Sequence, residues 1–230
     1  MRNPLIIAAC WAALFAAPVQ AQNPVVVELY TSQGCSSCPP ADALLQELSE
    51  QRDVIALALH VDYWDYLGWK DEFAHPAFSH RQSLYAHTWR QRTVYTPQMV
   101  IHGGEYMAGN QRASVMREIA QAQARPAGAE IEATRQGTRA VITIRPLAGA
   151  APSKIYMVRY IPRATVSIER GENAGREIEY INIVRDWMVA ADWDGLQTIS
   201  LTPSDLGIDP WVVIVQQDGT GPILAAMVLN

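Results

Sequence analysis

Lysine is nearly missing from this chain, which sets Lys70 and Lys154 against sixteen arginines, and carboxylates outnumber cations for a formal net charge of -5. That balance excludes the basic footprint with which proteins grip nucleic acid or anionic lipid. Long apolar runs are also lacking. The longest stretches from Leu5 to Ala17, whereas a helix that spans a bilayer takes roughly 20 residues. No P-loop, dinucleotide fingerprint or Gly-x-Ser-x-Gly elbow occurs. Cysteine is scarce, with three in 230 residues, too few for a disulfide scaffold. There is no second Cys-x-x-Cys to complete a zinc site, and the histidines at 60, 75, 80, 87 and 102 are scattered.

What is present begins with an address. Arg2, the apolar run and the small-x-small ending Val19-Gln20-Ala21 read as a secretory signal peptide, residues 1–21, cut after Ala21. Cys10 leaves with it. The mature chain then keeps Cys35 and Cys38 alone, has no stable membrane anchor, and goes to the periplasm or the extracellular space, where disulfides persist.

Val25 to Tyr30 is a β-branched run closed by Thr31-Ser32-Gln33-Gly34 and reads as a buried strand. Leu44, Leu45 and Leu48 give Asp42–Arg52 helical spacing, and Val54 to Val61 reads as a second buried strand, so the three suggest a parallel βαβ unit. A helix over Ala77–Arg92, a proline-opened strand over Thr96–Ile101 with a short partner over Tyr106–Ala108, and a helix over Asn110–Ala124 complete the series β-α-β-α-β-β-α. Arg125 to Ala129 is a break in composition. Beyond it period-two segments at 131–134, 141–144, 155–160, 165–168, 211–215 and 223–229 suggest an antiparallel sandwich. The expected organisation is an α/β domain over 22–125 followed by an all-β antiparallel sandwich-like domain over 129–230.

The stretch Gly34-Cys35-Ser36-Ser37-Cys38-Pro39-Pro40-Ala41-Asp42 carries the chemistry. At the start of a helix, unpaired backbone N–H groups and the positive end of the dipole favour a thiolate, and a cysteine of pKa ~8.5 falls to roughly 3.5–7.5 there. One helical turn brings Cys38 within disulfide reach of Cys35. Cys35 is then the nucleophile and Cys38 the resolving thiol. A structural disulfide and a metal site remain as rivals, with copper(I) the metal that two thiolates and an imidazole suit best. His60, Asp62, Tyr63, Trp64, Asp65 and Trp69 stand at the carboxyl end of the second strand, where α/β sheets bind ligands, and are candidates for a recognition rim.

The element order and the motif at a strand-to-helix turn resemble the thioredoxin fold over about residues 24–124. The resemblance implies that Thr96-Pro97 faces the cysteines and holds a partner chain, with a buried carboxylate on the first strand, nearest to Glu28, serving the resolving cysteine. A narrower resemblance rests on Glu28-Leu29-Tyr30-Thr31-Ser32-Gln33-Gly34-Cys35-Ser36-Ser37-Cys38-Pro39-Pro40-Ala41-Asp42, the run His60 to Asp71, Tyr95-Thr96-Pro97-Gln98, and Arg170 to Arg176. These words are similar to a family of secreted bacterial proteins of unknown function with a thioredoxin-like first half. Arg170 to Arg176 reads most simply as a polar hairpin loop, and its family word raises the prospect that Glu172 and Arg176 tie the halves together or approach the redox face. Together the residues imply a thiol–disulfide exchange protein acting on protein thiols or disulfides, without cofactor, metal or nucleic acid. The alternative is a non-catalytic binding module, or a copper(I) protein, built on the same cysteines.

Overall fold

A computed structural model describes residues 23–229; the expected leader, residues 1–21 with Cys10, lies outside the described residues. Strands β1 (Val25–Thr31) and β2 (Val54–His60) are buried over their whole lengths. Strands this apolar sit in the middle of a sheet covered on both faces, and these two pair in parallel from Val25↔Val54 to Thr31↔His60. The crossover is α1 (Pro39–Ser49). It starts ahead of the leucine-spaced segment because proline is tolerated in a first turn whose N–H groups lack internal partners. Next come α2 (Pro76–Thr88), the antiparallel pair β3 (Gln98–Ile101) and β4 (Glu105–Ala108), and α3 (Arg112–Gln123).

The remainder is β5 (Ala129–Gln136), β6 (Arg139–Pro146), β7 (Ser153–Ile168), β8 (Arg176–Trp193), β9 (Ile199–Leu201), β10 (Trp211–Gln217) and β11 (Ile223–Leu229). Here the expectation of a thioredoxin-like α/β domain followed by a separate all-β sandwich is corrected. Eight strands form one mixed sheet in the order β11-β10-β7-β8-β2-β1-β3-β4, and only β5, β6 and β9 form a second, small sheet. The joint is β8, which lies antiparallel to β7 and meets β2 in parallel at Ala58↔Ile183. Asn182, at a φ of 47°, donates its Nδ2 to the Ala56 carbonyl at 2.9 Å and seals that joint. The period-two signal of β8 is broken, since Glu177-Ile178-Glu179-Tyr180 and Ile181-Asn182-Ile183 alternate out of phase and Arg185 and Asp186 follow.

Strand parity then sorts the core. Val25, Val27, Leu29, Ala56 and Ala58 face α1 and α3, where Leu44, Leu45, Leu48, Val115 and Ile119 pack on them. Each buried valine, leucine or isoleucine among them contributes about 1.5–3 kcal/mol. Val26, Tyr30, Leu57 and Leu59 face the other way, toward Phe78 and Tyr85 of α2, in a cluster shared with Val158, Val184, Val212 and Ile214. The small sheet covers the face of β7, β10 and β11 that α2 leaves open, through Ile142 and Ile144 against Ile155, Met157 and Val213.

The same parity places Glu28 on the α2 side. Arg81 clamps its carboxylate with Nε and Nη2, each at 2.8 Å, and Tyr30 and Tyr85 donate to it at 2.9 and 2.8 Å. Gln216 of β10 joins through Arg81 Nη2 at 2.9 Å and the Tyr85 hydroxyl at 2.8 Å. The Arg81 guanidinium lies 3.8 Å from the Trp187 ring centre. Four elements from both ends of the chain therefore meet on one buried ion pair. Tyr85→Phe, which removes one hydrogen bond to a buried charge, is expected to lower stability by about 1.5–3 kcal/mol. A denaturant midpoint measures that loss, and the behaviour of Cys35 and Cys38 should not change.

Candidate active site

Three residues after β1, the chain turns into α1 through Cys35 and Cys38. Their sulfurs are bonded at 2.10 Å with Cα atoms 5.4 Å apart. Cys38 is the N-cap of α1 and makes no side-chain cap bond; its N–H meets the Cys35 carbonyl at 3.2 Å. Ser36 and Ser37 are exposed, while Cys35 is 3% and Cys38 0% exposed. The Ser37 hydroxyl lies 3.4 Å from the Cys35 sulfur.

Beneath the disulfide lies a polar floor. Asp42, one turn along α1 from Cys38, accepts from the Thr31 hydroxyl at 2.7 Å through Oδ1, while Oδ2 is buried without a partner among the described residues. Burial pushes the Asp42 carboxyl up to about 7, with the Thr31 hydrogen bond and the charge of His60 opposing the rise and Asp71 adding to it. His60, a candidate for the recognition rim, ends β2 beside Thr31 and is fully buried. Its Nδ1 lies 2.7 Å from Asp71 Oδ2, and that carboxylate also accepts from the N–H groups of Gln33 and Phe73. Burial disfavours the charged imidazole, but Asp71 outweighs it and raises the His60 pKa; His60 in turn overcomes burial and lowers that of Asp71. The rings of Phe73 and Tyr180 stand edge-on to His60 at 5.4 and 4.9 Å.

The remaining candidates divide. Trp69 Nε1 donates to Gln33 Oε1 at 2.7 Å, and Trp64 Nε1 to the Thr96 hydroxyl at 2.7 Å, so both tryptophans border the cysteine loop. Gly34 packs closely there: a Cβ at that position would sit 3.2 Å from Trp64 Cβ. Thr96-Pro97 is a cis peptide, and Pro97 lies against Gly109, which also abuts Ala41 of α1. Asp62 and Tyr63 turn away to Ser79 and Gln82 of α2. Asp65 accepts from the Asp71 N–H at 3.2 Å. Glu28, on the opposite face of β1, is consumed by Arg81 and takes no part in this floor.

The β7–β8 hairpin closes the site from above. Asn173 at its tip donates Nδ2 to the carbonyls of Gln33 and Cys35, both at 2.9 Å, and Glu172 Oε2 accepts from the Ser36 N–H at 3.3 Å. Arg176 forms no ion pair among the described residues and is exposed. Sequence reasoning missed Gln33, Asp42, Asp71 and Asn173. All four lie inside the words that carry the family resemblance, which was their only signal. Of five buried side-chain atoms without a partner among the described residues, Gln33 Nε2, Asp42 Oδ2, His60 Nε2 and Asn173 Oδ1 gather at this site, and Trp187 Nε1 lies elsewhere. Leaving such a group unmet costs about 1–3 kcal/mol each, which sets this region apart from the rest of the described core. Among the described residues no three His, Cys, Asp or Glu side chains converge to hold a metal ion.

Fold and site together define an α/β protein with a mixed eight-stranded sheet, a disulfide at the start of its first helix, and a long hairpin folded back over that disulfide. The chain belongs to the family described as "Protein of unknown function (DUF1223)", which matches residues 26–216. It is similar to a protein of Agrobacterium tumefaciens whose X-ray structure comes from a structural genomics consortium. That likeness has 27% identity and a TM-score of 0.78 and covers 91% of this chain and 95% of the other. Likeness to HBP35 of Porphyromonas gingivalis, at 14% identity and a TM-score of 0.55 over 90% of this chain and 75% of that one, is a likeness of fold alone. No curated protein matches the chain.

Proposed function

We propose that this is a periplasmic or secreted thiol–disulfide exchange protein whose partners are protein thiols and disulfides, performing chemistry of the kind thioredoxins perform. The observation that carries the reading is the Cys35–Cys38 disulfide at the start of α1, with no side-chain cap, set over the buried titratable groups Asp42, His60 and Asp71. A purely structural disulfide has no use for those groups. One that opens and closes must give and take protons.

In the reduced protein the helix start favours the Cys35 thiolate. It attacks a partner disulfide, bonding one partner sulfur while the other leaves as a thiolate. The Cys38 thiol then gives its proton to the Asp42 carboxylate and attacks the Cys35 sulfur, which re-forms the internal disulfide and expels the second partner thiolate. Two electrons pass from protein to partner; run backwards, the same steps oxidise a partner dithiol. Asp42 suits the task because burial brings its carboxyl up to about 7, close to working pH. His60, Asp71 and Tyr180 are the other titratable groups around it.

Equilibration in graded thiol buffers, with alkylated cysteines counted by mass, tests the reading. The expected result is one two-electron transition between about -120 and -270 mV. A pair still oxidised below roughly -300 mV overturns it and favours the binding module instead.

A further inference from the structure

We propose that Asn173, carried to the tip of the β7–β8 hairpin, is a positioning residue that holds the Gln33–Gly34 and Cys35–Ser36 peptide groups in the orientation the reactivity of Cys35 requires. The inference rests on the exchange reading. Asn173 is 1% exposed although its neighbours Glu172 and Ala174 are exposed. Its Nδ2 divides two hydrogen bonds of 2.9 Å between the carbonyls of Gln33 and Cys35. The N–H groups of the same segment are held as well: Gln33 by Asp71, Gly34 by the Ser32 hydroxyl, Cys35 by the Ser32 carbonyl and Ser36 by Glu172. With both carbonyls turned toward an amide donor, their negative ends are engaged by Asn173 and work less against a thiolate on Cys35.

The hairpin is built to deliver this one side chain. Gly171 and Gly175 take φ values of +77° and +78°, and the Gly175 N–H returns to the Ile168 carbonyl at 2.7 Å. Those conformations favour glycine and bend the tip so that Asn173 points inward. Val166 and Ile168 below the tip pack with Phe73, Tyr180, Ile183 and Trp69, which fixes the tip to the segment that holds Asp71. Gly171 lies so close to Trp69 that an added Cβ would approach its Cβ to 3.1 Å. The C-terminal half thereby supplies part of the redox centre.

The test uses the reduced full-length chain carrying Cys38→Ser, so that Cys35 alone is alkylated, with and without Asn173→Ala, across a pH series. The carboxylates and imidazole around Cys35, on Glu172, Asp42, Asp71 and His60, are identical in the two proteins, so the difference isolates Asn173. The expected result is a profile displaced by about one unit to higher pH, so that alkylation is about tenfold slower at pH values below the midpoint of the parent profile. Asn173→Ser, whose hydroxyl can donate only once, should fall between them and is read in the same way if the alanine variant does not fold. A strut that merely holds the loop would lower the melting temperature and leave the profile in place, and that outcome overturns the proposal. Absence of a redox transition in the wild-type protein would defeat the exchange reading, while the alkylation profiles would still report on Asn173.

Discussion

Cys35→Ser is expected to abolish exchange, a loss on the order of 10³-fold or more, since no other group in the chain can take over as nucleophile. The geometry makes the two cysteines unequal. Cys38 is fully buried at the N-cap position of α1, whereas Cys35 borders the exposed Ser36 and Ser37. Cys38→Ser should therefore keep the first step and lose the second, so that a mixed disulfide between Cys35 and the partner accumulates. Incubation with a disulfide substrate, followed by non-reducing mass measurement, reads both variants. Equal trapping of partner by both variants, or turnover surviving in Cys35→Ser, would remove Cys35 from the role of nucleophile.

Asp42→Asn is expected to make the oxidised protein more stable at pH 8 by about 4 kcal/mol, while slowing the resolving step about 10²-fold. In the folded chain burial raises the Asp42 carboxyl from 3.8 to about 7. The folded state therefore binds the proton more tightly than the unfolded chain, and this contribution to stability is full below about 4 and is lost as pH rises toward 7. An asparagine cannot ionise and keeps a carbonyl for the Thr31 hydroxyl. His60, whose pKa is also raised, loses stability as pH rises through its own folded value. Comparing the two proteins at each pH reads the contribution of Asp42 together with its coupling to His60. Denaturant midpoints between pH 4 and 8 should fall steeply for the wild-type chain and far less for the variant. Parallel slopes would mean that Asp42 ionises normally and is no proton acceptor for Cys38.

Much of the first half was legible because its signals are local. The valine run of β1, the leucine spacing of α1 and the prolines that open α1 and precede β3 each report on a few neighbouring residues. Long-range pairing was not legible. A strand such as β8, with Arg185 and Asp186 in its interior, declares itself only when β7 and β2 are present to pair with it. Two period-two segments, 155–160 and 165–168, are one strand, because β7 runs on through Pro162 beside β8.

The candidate site divides the same way. Cys35 and Cys38 were determined by the sequence alone, since a three-residue spacing at a helix start constrains its own geometry whatever surrounds it. Which carboxylate serves them was decided by the tertiary structure. A strand alternates its faces, so Glu28 goes to Arg81 while Thr31 turns to Asp42, and one residue of register separates the two outcomes. His60, plausible on a rim, became a buried partner of Asp71 once β1, β8 and the 69–73 segment closed over it. Asn173 reaches Cys35 from 138 positions away. Contacts of that kind depend on where two distant segments of backbone are brought to rest, and only the packed sheet and its hairpin determine that.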